Sequence, residues 1–202
     1  MDLHSRPAHN RAAFSIEGGI PMQLLYNNIP ALLKLRLNWV VWGIRAAGNI
    51  RDSPLKSPFN PASLLSGKPS QAKAGVPETW ATFQNAVECV NRGLAQGIGY
   101  EFDGSVYGVD LDHVLDENGA LTPQAQEIVG NLDSYTEISP SGTGIHIFVI
   151  APGADIMRHR KKDFFVEIYK EGRYFTVTGN IKDGKGLCGK EKNGTQERVC
   201  AF

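Results

Sequence analysis

Two aspartates separated by one apolar residue are the first groups in this sequence that could do chemistry. They are Asp110 and Asp112, at the end of the stretch Gly108–Asp112. Side chains two residues apart on a strand point to the same side, so both carboxylates would reach one point. Hard carboxylate oxygens suit Mg²⁺ or Mn²⁺, and these ions serve nucleotidyl transfer. The same spacing is also typical of solvent-facing strand residues, which is the competing interpretation.

A third acid interrupts an apolar pattern further along the chain. Glu167 lies inside the predicted strand Phe164–Tyr169, and a charge that faces inward there must find a partner. A metal ion shared with Asp110 and Asp112 would be such a partner. We therefore predict that these three acids are catalytic metal ligands, and the alternative for Glu167 is again a solvent-facing side chain.

Between these acids lies a turn rich in serine and glycine, followed by a histidine. Backbone N–H groups, hydroxyls and little steric bulk are what a triphosphate requires at close approach. His146 follows on a predicted strand, where it shares a side with Gly144 and Phe148 and could reach a phosphate oxygen. A lone strand histidine is more often structural, but its position behind this turn favours a role in the site. The residues predicted to bind nucleotide here are Ser139, Ser141, Gly142, Thr143 and His146.

Cationic side chains near these motifs are candidates for phosphate contacts. Arg173 follows the predicted turn Glu171–Gly172 and would begin a strand that pairs back toward Glu167, where its guanidinium could clamp a phosphate. A basic loop between strands is predicted to contact template phosphates, although such runs are commonly just solvated. Its members are Arg158, Arg160, Lys161 and Lys162.

The elements that position these residues follow from periodicity and turn signals. A helix is expected to begin near Pro30 within Leu24–Leu37, a buried strand to cover Trp39–Ile44, and a helix to run from Trp80 to Gly93. Residues 46–77 are rich in proline, glycine and serine, so they predict a long basic loop.

The second half of the chain predicts mostly strands. Asp103 and Gly104 form a two-residue hairpin signal between two β-rich runs, and Thr122 with Pro123 predicts a helix start. The predicted strands are Gly97–Phe102, Val106–Leu111, Tyr135–Ile138, Ile145–Ile150, Phe164–Tyr169 and Tyr174–Thr178, and the predicted helix ends near Leu132.

Composition adds limits rather than a function. The chain has 202 residues, with 21 Lys plus Arg and 21 Asp plus Glu, so no global positive field holds nucleic acid. Three widely spaced cysteines argue against disulfides or a zinc site, and neither a signal peptide nor a membrane-length apolar run is evident, so the expected location is the cytoplasm. Residues 1–19 are predicted to be a disordered leader, 20–181 a domain, and 182–202 a tail or linker.

In their order, these motifs resemble the archaeo-eukaryotic primase superfamily, specifically the bifunctional primase-polymerase domain at the N-terminus of phage, plasmid and prophage replication proteins. The resemblance covers roughly Asn38–Asn180. The segments that carry it are Trp39–Trp42, Lys56–Pro61, Glu78–Trp80, Gly108–Asp112, Thr136–His146, Val166–Tyr169 and Arg173–Gly179.

The resemblance implies an α+β fold, in which a core similar to an RNA-recognition motif joins an N-terminal α/β lobe to form a catalytic cleft. It implies metal binding by Asp110, Asp112 and Glu167, and triphosphate binding by the turn and His146. It also adds Lys56 and Arg173 as nucleotide-binding residues.

The implied activity is DNA primase and polymerase chemistry on a single-stranded DNA template, with NTP or dNTP as substrate and Mg²⁺ or Mn²⁺ as cofactor. Polymerase activity is the safer expectation, since no second nucleotide site for priming is evident. Larger relatives often continue into a helicase domain, so a helicase is a candidate partner. Two alternatives remain at this point: a two-metal nuclease that uses the same acids, and a non-catalytic module that binds single-stranded or origin DNA.

Overall fold

Helix positions in the structure follow the capping signals of the sequence. The structure is a computed structural model that describes residues 25–44, 56–151, 159–161 and 166–183. Thr82 and Thr122 each precede a helix, and each side-chain hydroxyl accepts a hydrogen bond from a backbone N–H in the first turn of that helix. The helices are α1 (Ala31–Lys34), α2 (Pro61–Leu65), α3 (Phe83–Asn91) and α4 (Pro123–Leu132), with 3₁₀ turns at Tyr26–Asn28 and Pro77–Thr79. Within the described ranges, none of these helices is long and apolar enough to cross a membrane.

Within the described residues, seven strands form one antiparallel sheet. Their bounds are β1 (Trp39–Trp42), β2 (Gly97–Leu111), β3 (Thr136–Ile138), β4 (Ile145–Val149), β5 (His159–Lys161), β6 (Val166–Val177) and β7 (Ile181–Asp183). The order is β5-β6-β2-β4-β3-β7, and β1 pairs with the N-terminal half of β2. The expected α+β class is confirmed, and the N-terminal half of the chain adds its strand to the same sheet.

The predicted Asp103–Gly104 hairpin is wrong. Both β-rich runs that flank it belong to β2 and pair with β6, and the register shifts between Glu101 and Gly108. Asp103 accepts a hydrogen bond from the Ser105 backbone N–H, and Gly104 has a φ of 90°. The local turn geometry thus produces a bulge, because β6 is long enough to pair with both runs.

The predicted turn at Glu171–Gly172 is wrong for the same reason. The two runs on either side of it form the single strand β6, and the positive φ of Gly172 (71°) accommodates the irregularity. Arg173 therefore does not begin a strand that pairs back toward Glu167. It continues the ladder with β2, and Tyr174 lies opposite Glu101.

The β2–β6 ladder bends at this bulge and folds over itself. Phe102 packs against Phe175 with ring centroids 4.8 Å apart, and a Cβ at Gly108 would overlap both rings. The buried aromatic cluster that also contains Tyr100 and Phe148 fills the space inside the bend. This side of the sheet is called the inner face below.

On the outer face, α4 covers the C-terminal half of β2. Ala125 and Val129 of the helix pack with Val109 and Ile147 of the sheet. Successive side chains of β2 and β4 therefore point alternately to the inner and the outer face. His146 lies on the inner face with Phe148, as the sequence alternation predicts.

Three further expectations need correction. The segment predicted as a loop over residues 46–77 contains helix α2 and an isolated bridge between Phe59 and Gln71, although residues 45–55 lie outside the described part. Trp80 precedes α3 and is a buried residue of the outer face rather than part of the helix. The first helix ends at Lys34, before the predicted Leu37.

Near the C-terminal boundary, β7 extends to Asp183 and pairs with β3. This ordered strand passes two residues beyond the boundary predicted at residue 181. The predicted leader and the remainder of the predicted tail lie outside the described residues.

Candidate functional site

Four polar side chains form a row across four neighbouring strands on the inner face. In the sheet register, Asp110 lies between Glu167 on β6 and His146 on β4, and Glu137 on β3 lies opposite His146. Directly opposed residues of antiparallel strands project to the same side. The polar row therefore consists of Glu167, Asp110, His146 and Glu137, and it brings together three of the residues predicted from sequence.

Asp110 is at the centre of this row. Its side chain is 23% exposed. Burial raises its pKa, and the negative charges of Asp112 and Glu167 raise it further, whereas His146 and Arg173 lower it. Asp112 is exposed at the end of the strand. Asp112 and Glu167 are thus both near enough to repel Asp110, and a bound cation would relieve that repulsion.

Glu167 is connected to Arg173 through an aromatic ring. The Tyr169 hydroxyl donates a hydrogen bond to Glu167 Oε2, and the guanidinium of Arg173 lies 5.1 Å from the centroid of the Tyr169 ring. Arg173 is exposed. Although its predicted strand pairing is wrong, the structure places its charge beside the site, because the bulge in β6 brings residue 173 back over residue 169.

His146 is fixed by contacts on both ring nitrogens and one ring face. Nδ1 is 3.0 Å from the Thr176 carbonyl oxygen, and Nε2 is 3.7 Å from Asp110 Oδ1. The ring stacks on Phe175 with centroids 4.7 Å apart. Because a carbonyl oxygen can only accept, Nδ1 carries the proton of that hydrogen bond. Nε2 is therefore the atom directed toward Asp110.

The predicted phosphate turn packs directly against the acid pair. A Cβ at Gly144 would lie 2.7 Å from the Leu111 carbonyl oxygen, so only glycine permits this approach. The Thr143 carbonyl accepts hydrogen bonds from Val114 and Leu115, which follow the acid pair. The turn is thus attached to the segment that carries Asp112.

Hydroxyl groups line the exposed side of this turn. Ser139 Oγ and Ser141 Oγ are 2.9 Å apart, and Ser141 Oγ and Thr143 Oγ1 are 3.1 Å apart. Gly142 has a φ of 76° and no neighbour around the position of a Cβ. The turn therefore presents hydroxyls and open space on the side that an anionic ligand could approach.

The donor set fits a divalent cation in its chemistry. Asp110 and Glu167 supply hard oxygen ligands from two adjacent strands, and Asp112 supplies them from just beyond the end of β2, which suits Mg²⁺ or Mn²⁺. Across the described ranges, however, no three His, Cys, Asp or Glu side chains are gathered as a ready-made metal cluster. Glu167 is turned toward Tyr169, so its carboxylate would have to rotate to join the aspartates.

The other predicted cations are placed less closely. Lys56 is exposed, and its backbone carbonyl accepts a hydrogen bond from the Tyr174 hydroxyl. Tyr174 packs with Trp80 on the outer face, so this contact attaches Lys56 to the side of β6 opposite the polar row.

The predicted basic loop is partly a strand. Arg160 and Lys161 lie on β5, and Arg160 is opposite Glu167 in the register. Arg158 and Lys162 lie outside the described residues. The template contacts predicted for these four residues stay predictions.

Two parts of this site were not predicted from the sequence. Glu137 completes the polar row, and the Thr176 carbonyl orients His146. Glu137 carried the same signal as Glu167, a charge inside an apolar strand. Thr176 carried no signal, since its contribution is a backbone atom.

A mixed α+β domain with an antiparallel sheet, three acids, a histidine and a serine-glycine turn is compatible with a primase-like nucleotidyltransferase. No family model matches the chain. Among known proteins, it is 35% identical over 166 residues to the DNA primase-polymerase of Nitratiruptor phage NrS-1, a match that covers 78% of this chain. The chain spans about a fifth (21%) of that relative's length.

Proposed function

We propose that this domain catalyses template-directed nucleotidyl transfer on single-stranded DNA in phage or plasmid replication, acting as a DNA polymerase and primase. The observation that carries the proposal is the meeting of Asp110, Glu167 and His146 in one row beside the turn Ser139–Gly144. The homologous phage primase-polymerase supports the same activity.

The reaction is an in-line substitution at phosphorus. A primer 3′-hydroxyl, or the first bound nucleotide during priming, attacks the α-phosphate of the incoming nucleotide. A new P–O bond forms, the bond between the α- and β-phosphates breaks, pyrophosphate leaves, and the hydroxyl proton is lost. The site must therefore stabilise negative charge on both the attacking and the leaving oxygens.

Asp110, Asp112 and Glu167 would hold the divalent metal in this reaction. A bound Mg²⁺ or Mn²⁺ supplies a lower pKa for the attacking hydroxyl and neutralisation of the developing charge. Asp110 must be ionised to serve as a ligand, although burial and its acidic neighbours raise its pKa. His146 and Arg173 oppose that rise and so favour the ionised form.

The turn and His146 would hold the triphosphate. Backbone N–H groups and the hydroxyls of Ser139, Ser141 and Thr143 can donate to phosphate oxygens, and Gly142 leaves room for them. His146 presents Nε2 on the same side, since Nδ1 is engaged by Thr176. The charge of Arg173 acts on Asp110, so Arg173 is a candidate for the outer phosphates.

DNA template and nucleotides are the substrates that this proposal requires. Arg160 and Lys161 lie on the edge strand β5, which pairs with the strand that carries Glu167, and cations there would meet template phosphates. A helicase domain or protein is the proposed partner, because the primase-polymerase proteins that the chain resembles often continue into a helicase domain.

The deciding experiment is nucleotide incorporation on single-stranded DNA with Mg²⁺ or Mn²⁺, with and without an annealed primer. The control is the Asp110→Asn/Asp112→Asn protein. Products in both lanes that vanish in the control protein would support a primase-polymerase, and products only with primer would support a polymerase that lacks its priming partner. Shortened template would indicate a nuclease. DNA binding without either product, unchanged in the control protein, would indicate a non-catalytic binding module.

A further inference from the structure

Glu137 is a fully buried glutamate that the proposed chemistry does not use. Its side chain is 0% exposed, yet both carboxylate oxygens have donors. Oε1 accepts from the Thr178 backbone N–H at 3.0 Å, and Oε2 accepts from the Gly179 backbone N–H at 2.9 Å and from the Tyr135 hydroxyl at 2.7 Å. Three donors on one carboxylate are a built environment for a charge that would otherwise be costly to bury.

Two of these donors belong to a segment that crosses the sheet. Residues 176–179, the bridging segment, come from the end of β6, whereas Glu137 belongs to β3. The strands β2 and β4 lie between β6 and β3 in the sheet order. The chain therefore passes over the inner face of β4 and continues into β7, which pairs with β3.

The same bridging segment holds His146. The Thr176 carbonyl accepts the Nδ1 hydrogen bond, two residues before the amide that Glu137 binds. Glu137 Oε1 itself is 3.7 Å from His146 Nδ1, which is too long for a hydrogen bond. Glu137 therefore contacts the bridging segment more closely than it contacts the imidazole ring of His146.

Other contacts also hold the bridging segment in one position on the inner face. Thr178 Oγ1 donates to the Ile138 carbonyl at 2.7 Å, and the Asn28 side-chain amide donates to the Gly179 carbonyl at 3.0 Å. A Cβ at Gly179 would overlap the Leu25 carbonyl. Glu137 is the only acidic side chain with described hydrogen bonds to the segment, so it is the one charged group that anchors it there.

We propose that Glu137 is a positioning residue of the nucleotide site, which anchors the bridging segment so that the Thr176 carbonyl keeps His146 Nδ1 protonated and directs Nε2 at the phosphates. This inference rests on the proposed function for the role of Nε2. The placement of the ring itself is independent of that function.

The test is Glu137→Gln, compared with Glu101→Gln. Glutamine keeps the size of Glu137 but offers one acceptor oxygen where two are used, and its NH₂ group would oppose a backbone N–H. Glu101 is also 0% exposed, but neither of its oxygens has a hydrogen-bond partner within the described chain. It lies outside the proposed nucleotide machinery, so it is a matched control for replacing a buried glutamate.

Two readouts are needed. Long-range ¹H–¹⁵N spectra of the imidazole rings report which nitrogen carries the proton, and the His146→Gln protein identifies the signals among the five histidines of the chain. Steady-state incorporation gives KM for the incoming nucleotide and kcat. In Glu137→Gln we expect mixed tautomers of His146 and a KM raised about tenfold with a smaller change in kcat, since a tenfold change corresponds to the loss of one typical hydrogen bond. Glu101→Gln should change neither.

The outcomes separate the two ideas. If wild type incorporates nucleotide and Glu137→Gln leaves both the His146 spectrum and KM unchanged, the positioning role is wrong. If the spectrum changes but wild type incorporates nothing, the positioning role stands and the proposed function fails. If Glu137→Gln does not fold, Tyr135→Phe removes only one donor to Glu137: a smaller shift of the spectrum and of KM in the same direction would support the role, and no shift would overturn it.

Discussion

The two halves of the β2–β6 ladder each hold a carboxylate, and they surround it differently. In the C-terminal half of β2, Asp110 faces His146 and lies beside Asp112 and Glu167. In the N-terminal half, Glu101 is completely buried, and in the part of the chain described neither oxygen has a hydrogen-bond partner. Burial raises the pKa of Glu101 to about 7.

The difference shows that burial alone does not mark a functional carboxylate. Asp110 is less buried than Glu101, but it shares its face of the sheet with groups that could act on a ligand. Glu101 has the stronger pKa shift and only a desolvation cause for it. Groups with shifted pKa values cluster at functional sites because charged and polar side chains from several strands meet there. Such side chains surround Asp110 in one half of the ladder, and they do not surround Glu101 in the other.

The largest effect should come from replacing Asp110 in the C-terminal half of β2. Asp110→Asn is expected to reduce nucleotide incorporation by about 10³-fold or more, since it removes a carboxylate ligand of the metal that would stabilise charge on the transferring phosphate. The fold should persist, because the variant also removes repulsion from Asp112 and Glu167. Primer extension and thermal melting measure the two effects. A large fall in melting temperature would count against a catalytic assignment.

The next largest effect concerns Glu101 in the N-terminal half of β2 and the free energy of unfolding. Glu101 has a folded pKa of about 7 against an ordinary value of 4.5. A raised pKa means that the folded state keeps a proton the unfolded state has lost, so stability is lost as pH rises from about 4.5 to 7. Wild type should lose about 3 kcal/mol of unfolding free energy across this range relative to Glu101→Gln.

Urea denaturation at several pH values between 5 and 8 measures that difference. Nucleotide incorporation by Glu101→Gln should equal wild type at each pH where both are folded. Parallel stability curves for the two proteins would show that the pKa of Glu101 is the same in the folded and unfolded states, so that the burial of Glu101 carries no such cost.

A pair of glycine substitutions tests the approach of the turn to the acid pair. Gly144→Ala places a methyl group 2.7 Å from the Leu111 carbonyl oxygen, and such overpacking typically costs about 1–3 kcal/mol. Because the turn must move away from Asp112, KM for nucleotide should also rise. Gly130→Ala on α4 is the control: it has open space, and it should stabilise the helix by about 0.5–1 kcal/mol without changing KM. If the two variants have the same KM for nucleotide, the turn does not take part in nucleotide binding.

The smallest expected effect is electrostatic. The charge of Arg173 lowers the pKa of Asp110, so Arg173→Gln should raise that pKa, and the change should be modest because Arg173 is exposed. Carboxyl ¹³C titration of the metal-free protein measures it directly. Arg92→Gln, which removes an exposed arginine paired with Glu88 on α3, is the control and should leave Asp110 unchanged. An unchanged pKa for Asp110 in Arg173→Gln would show that the two groups do not interact.

Local elements were largely predictable because their signals are local. Thr122 and Pro123 started α4 where expected, and Gly93, with a φ of 69°, follows the end of α3. The strand alternation also placed His146 on the side of Phe148. Each of these depends on residues within a few positions, where steric limits and capping hydrogen bonds act.

The pairing of strands was predicted less well. Asp103–Gly104 and Glu171–Gly172 are both strong turn signals, and each forms an irregularity inside a long strand instead. A dipeptide specifies a local backbone bend, but whether that bend reverses the chain depends on which distant strand pairs with its flanks. The same limit explains why β7 was not predicted, since its pairing with β3 is a long-range contact.

By itself, the sequence determined which groups are available for chemistry: the acids Asp110, Asp112 and Glu167, His146, and a turn open enough for phosphate. Only the tertiary structure decided that Glu137 joins the row, that Thr176 orients His146, and that Glu101 does not take part. The physical reason is that carboxylates of the same type differ in their neighbours, and those neighbours come from strands far apart in the chain that meet when the ladder bends over itself.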